Sequence, residues 1–245
     1  MIDSALLAVD ALTVERGGRI VLSDLTFSLG TGEVLLVTGR NGAGKSTLLR
    51  TLAGLLPMQS GRIVFADASD EVRGVETVHY LGYEDALKPS LTVGENLTFW
   101  AAMLGPSSPA ERGSGTTRSV VEGAPPEVAA DLPPPPPPAV PLSRFAREDL
   151  SPRDALTAFG IARLLDLPAA YLSAGQKRRV ALARLLLTPR PIWLLDEPLI
   201  ALDVGAQQTL TAIMAAHVAK GGAIVAASHA PLGLPCRSID LGGLA

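Results

Sequence analysis

Glu33–Thr38 reads EVLLVT and runs straight into GRNGAGKST at Gly39–Thr47. A short apolar run of that kind suits a strand buried on both faces. The loop after it fits G-x-x-x-x-G-K-[ST]. Its glycines let the backbone curl, so that amides across Gly39, Arg40, Asn41, Gly42, Ala43 and Gly44 turn inward beside the positive end of the next helix. A phosphate group fits there. Lys45 would reach the two outer phosphates of a nucleotide, Ser46 would place its hydroxyl on Mg²⁺, and Thr47 lies in the first helical turn. That helix is expected over Lys45–Leu56, stopped by Pro57.

The rest of the chain repeats the alternation. Residues 5–14 and 19–29 read as strands around a turn at Arg16-Gly17-Gly18, and Gly61–Phe65 and Thr77–Leu81 as further strands. Thr92-Val93-Gly94-Glu95 is a capping box opening a helix to about Leu104. Helices are expected over Pro152–Leu165, from the Ser173 region to Leu187, and over Val204–Ala219. Strands are expected at Pro191–Leu195 and Gly222–Ala227. Strands alternating with helices, each strand ending on a polar residue, imply an α/β fold with a parallel sheet. Residues 106–149 break the pattern, with six consecutive prolines at 133–138. Proline cannot join a helix interior or a central strand, so the stretch reads as a disordered or polyproline-like insert.

Composition narrows the function. A formal charge of -3 argues against a nucleic-acid partner, whose phosphates call for clustered Lys and Arg. The one concentrated basic run, Lys177-Arg178-Arg179, reads as a helix face. A single cysteine, Cys236, forms no internal disulfide and fits a reducing compartment. The first residues carry Asp3 and Asp10 and no basic residue, the wrong charge for a secretory signal. No apolar run reaches the roughly 18 residues of a membrane-spanning helix, so any membrane role is expected to be peripheral, through a partner.

Two further sites carry chemistry. Asp196 and Glu197 end the apolar run Ile192–Leu195; a carboxylate at a buried strand tip can hold Mg²⁺, and its neighbour can orient and polarise an attacking water. Leu172-Ser173-Ala174-Gly175-Gln176 opens a helix. Ser173 is a natural N-cap, and a serine hydroxyl with a flexible glycine at a helix N-terminus is also an anion site.

This pentapeptide resembles the LSGGQ signature of ABC ATPases, with Ala174 at the first glycine position. The resemblance covers roughly residues 5–104 and 150–240. It implies ATP with Mg²⁺, a P-loop NTPase cassette with a RecA-like parallel-sheet core, an antiparallel β subdomain, and a helical signature subdomain over about 92–187, interrupted by the insert, in one domain spanning 1–245. It also implies that Ser173, Gly175 and Gln176 bind the outer phosphate of ATP held on a second copy of the chain. Asp203, in Ala201-Leu202-Asp203, falls at the D-loop. His229 falls at the switch histidine, a catalytic group beside Glu197 and Lys45. His79 and His217 match no motif. Three positions depart from the family pattern. Arg16 stands where an aromatic stacks on adenine, Ile200 replaces the D-loop serine, and Glu84 takes the place of the glutamine that approaches Mg²⁺.

Within the family, Tyr171–Leu187 and Leu81–Trp100 resemble the ATP-binding subunits of cytochrome c maturation haem exporters, including the Arg178-Arg179 pair. That likeness implies a transport-coupled ATPase, a translocase, at the cytoplasmic face of a bacterial inner membrane. Its partners would be an integral membrane subunit, a second copy of itself and other cytochrome c maturation proteins. A cassette serving another substrate, such as a drug, a lipid or a metal chelate, would share every catalytic residue. A soluble ABC protein of ribosomes or DNA would need two cassettes or a long coiled coil. A phosphate-loop kinase or GTPase would lack the signature.

Overall fold

The computed structural model describes residues 5–65, 77–105 and 150–243, so the insert expected at 106–149 lies outside the described residues. The chain opens with a hairpin of β1 (Ala5–Arg16) and β2 (Arg19–Gly30), paired antiparallel with Arg16 opposite Arg19. β3 (Val34–Thr38) starts a second sheet, α1 (Lys45–Leu52) follows it, and β4 (Ser60–Phe65) returns to the free edge of β1. Next come β5 (Val78–Leu81), α2 (Val93–Leu104), α3 (Pro152–Ala158) and α4 (Ala174–Ala183). The chain then adds β6 (Ile192–Asp196), α5 (Val204–Ala219), β7 (Ala223–Ala227) and β8 (Arg237–Asp240). The result is an antiparallel sheet, β2-β1-β4, beside a five-stranded parallel sheet in the order β5-β6-β7-β3-β8.

Every residue of β6 and β7 is buried, because the parallel sheet is covered on both faces. Alternate side chains enter different cores. Trp193, Leu195, Ile224 and Ala226 join the cluster built from α2, α3, α4 and α5. Ile192, Leu194, Val225 and Ala227 join the one formed by α1 and the antiparallel sheet. Among the described residues no helix is long and apolar enough to cross a membrane.

Two expected helices end early for one reason. α1 stops at Leu52 rather than Leu56, and the Gly54 and Leu55 amides turn back to the Thr51 and Arg50 carbonyls at 3.0 and 2.8 Å. Gly54 takes φ +70°, the left-handed cap that glycine adopts without strain. α3 stops at Ala158 with the same closure through Gly160 and Ile161, and a tight 3-10 turn covers Ala162–Leu164. α4 likewise ends at Ala183 before a 3-10 turn at Arg184–Leu186, short of Leu187. The box at Thr92 and Glu95 caps α2 as its sequence implies. β8 was not anticipated. It is a short, mostly exposed edge strand, RSID, whose pairing with β3 leaves no apolar alternation to read.

His79 and His217 are packed into the fold. The His79 ring lies 2.6 Å from the Thr188 carbonyl oxygen through Nε2, and His217 stacks on Trp193 with ring centroids 3.9 Å apart. Burial pushes His79 from 6.5 down to about 3 and His217 down to about 4. Both are neutral in the fold, while the unfolded chain takes up protons below about pH 6.5. Their contribution to stability is therefore complete above that pH and is lost as pH falls toward the folded values. At pH 5 each costs on the order of 2 kcal/mol. The thermal midpoint should drop by several degrees between pH 7.5 and pH 5. His217→Phe, which keeps the stack and removes the proton, should reduce that drop; an unchanged pH response would contradict it.

Candidate active site

The strands deliver their chemistry to one edge. Val37 and Asp196 both pair with Ala227, and Leu81 pairs with Leu195, so β3, β5, β6 and β7 end level with one another. The phosphate loop, the loop at Gly82–Asp85, the Asp196-Glu197 turn and Ser228-His229 all leave the sheet there. In open α/β sheets this carboxyl edge is where ligands bind.

The phosphate loop ends in a constraint that only glycine meets. At Gly44, with φ +99°, a Cβ would fall 2.9 Å from the side chains of both Val21 and Leu22. β2 therefore presses the loop from behind and seats the start of α1, whose first turn has no side-chain cap. Uncapped amides at a helix N-terminus are an anion site. Lys45 is 8% exposed and lies back along the loop, donating to the carbonyls of Gly39 at 2.8 Å and Arg40 at 3.2 Å.

His229 joins the loop to the acidic turn. Its Nε2 lies 2.9 Å from Asn41 Oδ1, 3.2 Å from Lys45 Nζ and 3.5 Å from Glu197 Oε1. A neutral ring cannot serve the first two together, since Nε2 either donates to Asn41 or accepts from Lys45. Its backbone amide also faces Glu197 Oε2 at 3.5 Å. Glu197 itself has φ +46°. Asp196 is 2% exposed, and its Oδ2 has no hydrogen-bond partner among the described residues. A buried carboxylate oxygen without a donor is costly unless a cation meets it.

These groups line a cavity of about 1120 Å³. Arg16, Gly17 and Val21 are among its walls, with Asn41, Gly42 and Gly44–Thr47 along the loop, and Asp196, Glu197, Ser228 and His229 beside it. Gly39, Arg40 and Ala43 shape the loop without lining the space. Glu84 is exposed and outside the lining, which takes Tyr83 from that loop instead. Leu199, Ile200, Gln207 and Ala230 complete the wall. An aromatic beside Glu84 was the available signal for Tyr83; nothing local marks Gln207.

Ser173, Gly175, Gln176 and Asp203 stand apart from the cavity. Ser173 and Gln176 form a capping box on α4, with the Gln176 amide donating to Ser173 Oγ at 3.3 Å and the Ser173 amide to Gln176 Oε1 at 2.9 Å. Asp203 caps α5 and pairs with Arg179 at 3.0 Å. A Cβ at Gly175 would meet the Ala201 carbonyl oxygen at 2.9 Å, so the start of α4 and the turn before α5 are closely packed there. The basic run does not behave as a solvated helix face. Arg178 is 1% exposed, because α4 turns that position toward the sheet.

The ABC transporter family profile matches residues 22–200. The cytochrome c biogenesis ATP-binding export protein CcmA of Nitrobacter hamburgensis is 44% identical over 93% of this chain and 94% of its own length. The CcmA protein of Rhizobium meliloti is 41% identical over 97% and 98%. Among solved structures, the ATP-binding subunit of an ABC transporter superposes with a TM-score of 0.67 at 27% identity, covering 91% of this chain and 79% of that one. A putative ABC transporter ATP-binding protein from Pyrococcus furiosus shares the fold, with a TM-score of 0.69 at 22% identity over 98% of both chains. The chain belongs to the ABC transporter ATP-binding family, alongside the cytochrome c biogenesis export proteins.

Proposed function

We propose that this chain hydrolyses Mg-ATP for a haem-exporting, cytochrome c maturation complex at the cytoplasmic face of a bacterial inner membrane. It would work as two identical copies beside an integral membrane subunit. The observation that carries this reading is the end-to-end likeness to proteins named for cytochrome c biogenesis.

The site supports the chemistry. Ser46 and Asp196 offer hard oxygen donors, and the unpartnered Asp196 Oδ2 fits a divalent cation. Mg²⁺, when bound, neutralises phosphate charge. Lys45 exchanges the carbonyls of Gly39 and Arg40 for the outer phosphates. Glu197 orients and polarises the attacking water. His229, within reach of Asn41, Lys45 and Glu197, contacts the outer phosphate and links the loop to the base. Arg16 offers its guanidinium plane to the adenine. Ser173, Gly175, Gln176 and Asp203 address the nucleotide of the partner copy.

Glu84 would join the Mg²⁺ ligands only by an advance of its loop. Glu84→Gln removes a negative charge from the loop beside the cavity. It should tighten ATP binding by on the order of threefold to tenfold and alter the Mg²⁺ dependence of turnover. Lys88→Gln is the control. Wild-type affinity and Mg²⁺ response in Glu84→Gln would remove Glu84 from the site.

The assignment is tested by affinity purification of the tagged chain from membranes. Cytochrome c maturation proteins should co-purify, and deletion of the gene should abolish holocytochrome c. Recovery of an unrelated permease with normal cytochromes would point to another substrate.

A further inference from the structure

Arg178 lies inside α4 and is the bulkiest fully buried side chain among the described residues. A guanidinium out of water needs acceptors for its N–H groups. Here Nη1 donates to the carbonyls of Gly82 at 2.9 Å and Tyr83 at 3.4 Å and reaches Asp85 Oδ1 at 3.3 Å. Nη2 donates to the carbonyls of Asp196 at 2.9 Å and Glu197 at 2.7 Å. One planar fork therefore spans the loop after β5 and the turn after β6.

The held turn is the one that aims Glu197. Its backbone has φ +46°, a left-handed conformation that a non-glycine residue keeps only under restraint. Its amide donates to the Ala227 carbonyl at 2.8 Å, and its own carbonyl accepts from Arg178 and, at 3.3 Å, from the Ile200 amide. With both sides of the residue fixed, the carboxylate leaves the backbone toward His229. An apolar residue in its place would release the Glu197 carbonyl and the Gly82–Asp85 loop from each other.

We propose that Arg178 is a positioning residue for hydrolysis: it locks the Asp196-Glu197 turn to the Gly82–Asp85 loop, so the carboxylate is aimed only while that loop is seated. Displacement of Tyr83 or Asp85 is thereby passed through a rigid guanidinium to the group that polarises water. This rests on the reading of Glu197 given above.

The test uses Arg178→Lys and Arg178→Gln in the full chain, assayed in membrane vesicles beside Glu197→Gln. Lysine keeps the charge but has one ammonium, which cannot bond both segments in the fork geometry. Glutamine keeps a single amide and no charge. Both should lower kcat about ten- to a hundredfold with KM for ATP within about threefold, since Lys45 and its loop are untouched. Near-parental kcat in either folded variant overturns the proposal. So does a kcat loss that only tracks the fraction of folded protein, or failure of both variants to fold, which would make Arg178 a packing residue. If Glu197→Gln itself retains turnover, the reading of Glu197 fails. If it abolishes turnover while the Arg178 variants match the parent, the proposal about Arg178 alone falls.

Discussion

Glu197→Gln will bind ATP and almost cease to turn it over. The substitution keeps the shape and leaves Lys45, the phosphate loop and Asp196 in place, so affinity should hold. It removes the group proposed to polarise water, a role worth roughly 10²–10⁴ in rate. If hydrolysis parts the two copies proposed above, the variant should accumulate as an ATP-bound dimer, visible by size-exclusion chromatography with ATP and Mg²⁺. Near-normal hydrolysis by the purified variant would refute the role.

Asp196→Asn should move stability and activity in opposite directions. Its Oδ2 is buried without a donor. Removing a buried carboxylate oxygen that lacks a donor is worth on the order of 1 kcal/mol or more. Without nucleotide, the melting temperature should rise by about 2–4 °C. Turnover should fall by on the order of 10²-fold or more, because an amide is a poorer Mg²⁺ ligand than a carboxylate. The melting rise should vanish when Mg-ATP is added, if Oδ2 of the parent then meets the proposed cation. A variant that melts lower than the parent would show that Asp196 is held by the fold rather than poised for a metal.

Local sequence carried most of the architecture. EVLLVT and IWLLD reveal doubly covered strands because burial on both faces demands apolar residues at each position. GRNGAGKST reveals its loop because the glycines and Lys45 act within a few residues of one another. The shortened helices were also legible in principle: Gly54 and Gly160 stop α1 and α3, but the apolar pattern continues past both and hides the stop. Other features depend on contacts remote in the chain. Arg178 looks like a surface charge until β5 and β6 bring Gly82 and Asp196 to it, across 96 and 18 positions. Tyr83 lines the cavity while Glu84 does not, because the path of the loop, rather than the residue type, decides which neighbour faces inward. β8 pairs through its backbone, which leaves little trace in RSID.

The interleaving of β6 has an evolutionary consequence. Trp193 belongs with Leu210 and Met214 of α5, whereas Leu194, its immediate neighbour, belongs with Leu48 and Leu49 of α1. Adjacent letters on this strand therefore answer to unrelated sets of partners. As lineages diverge, compensating replacements should tie Trp193 to α5 and Leu194 to α1, and leave the two neighbours nearly independent of each other. An alignment of relatives would then show two interwoven histories on one strand, both required to deliver Asp196 to the same place.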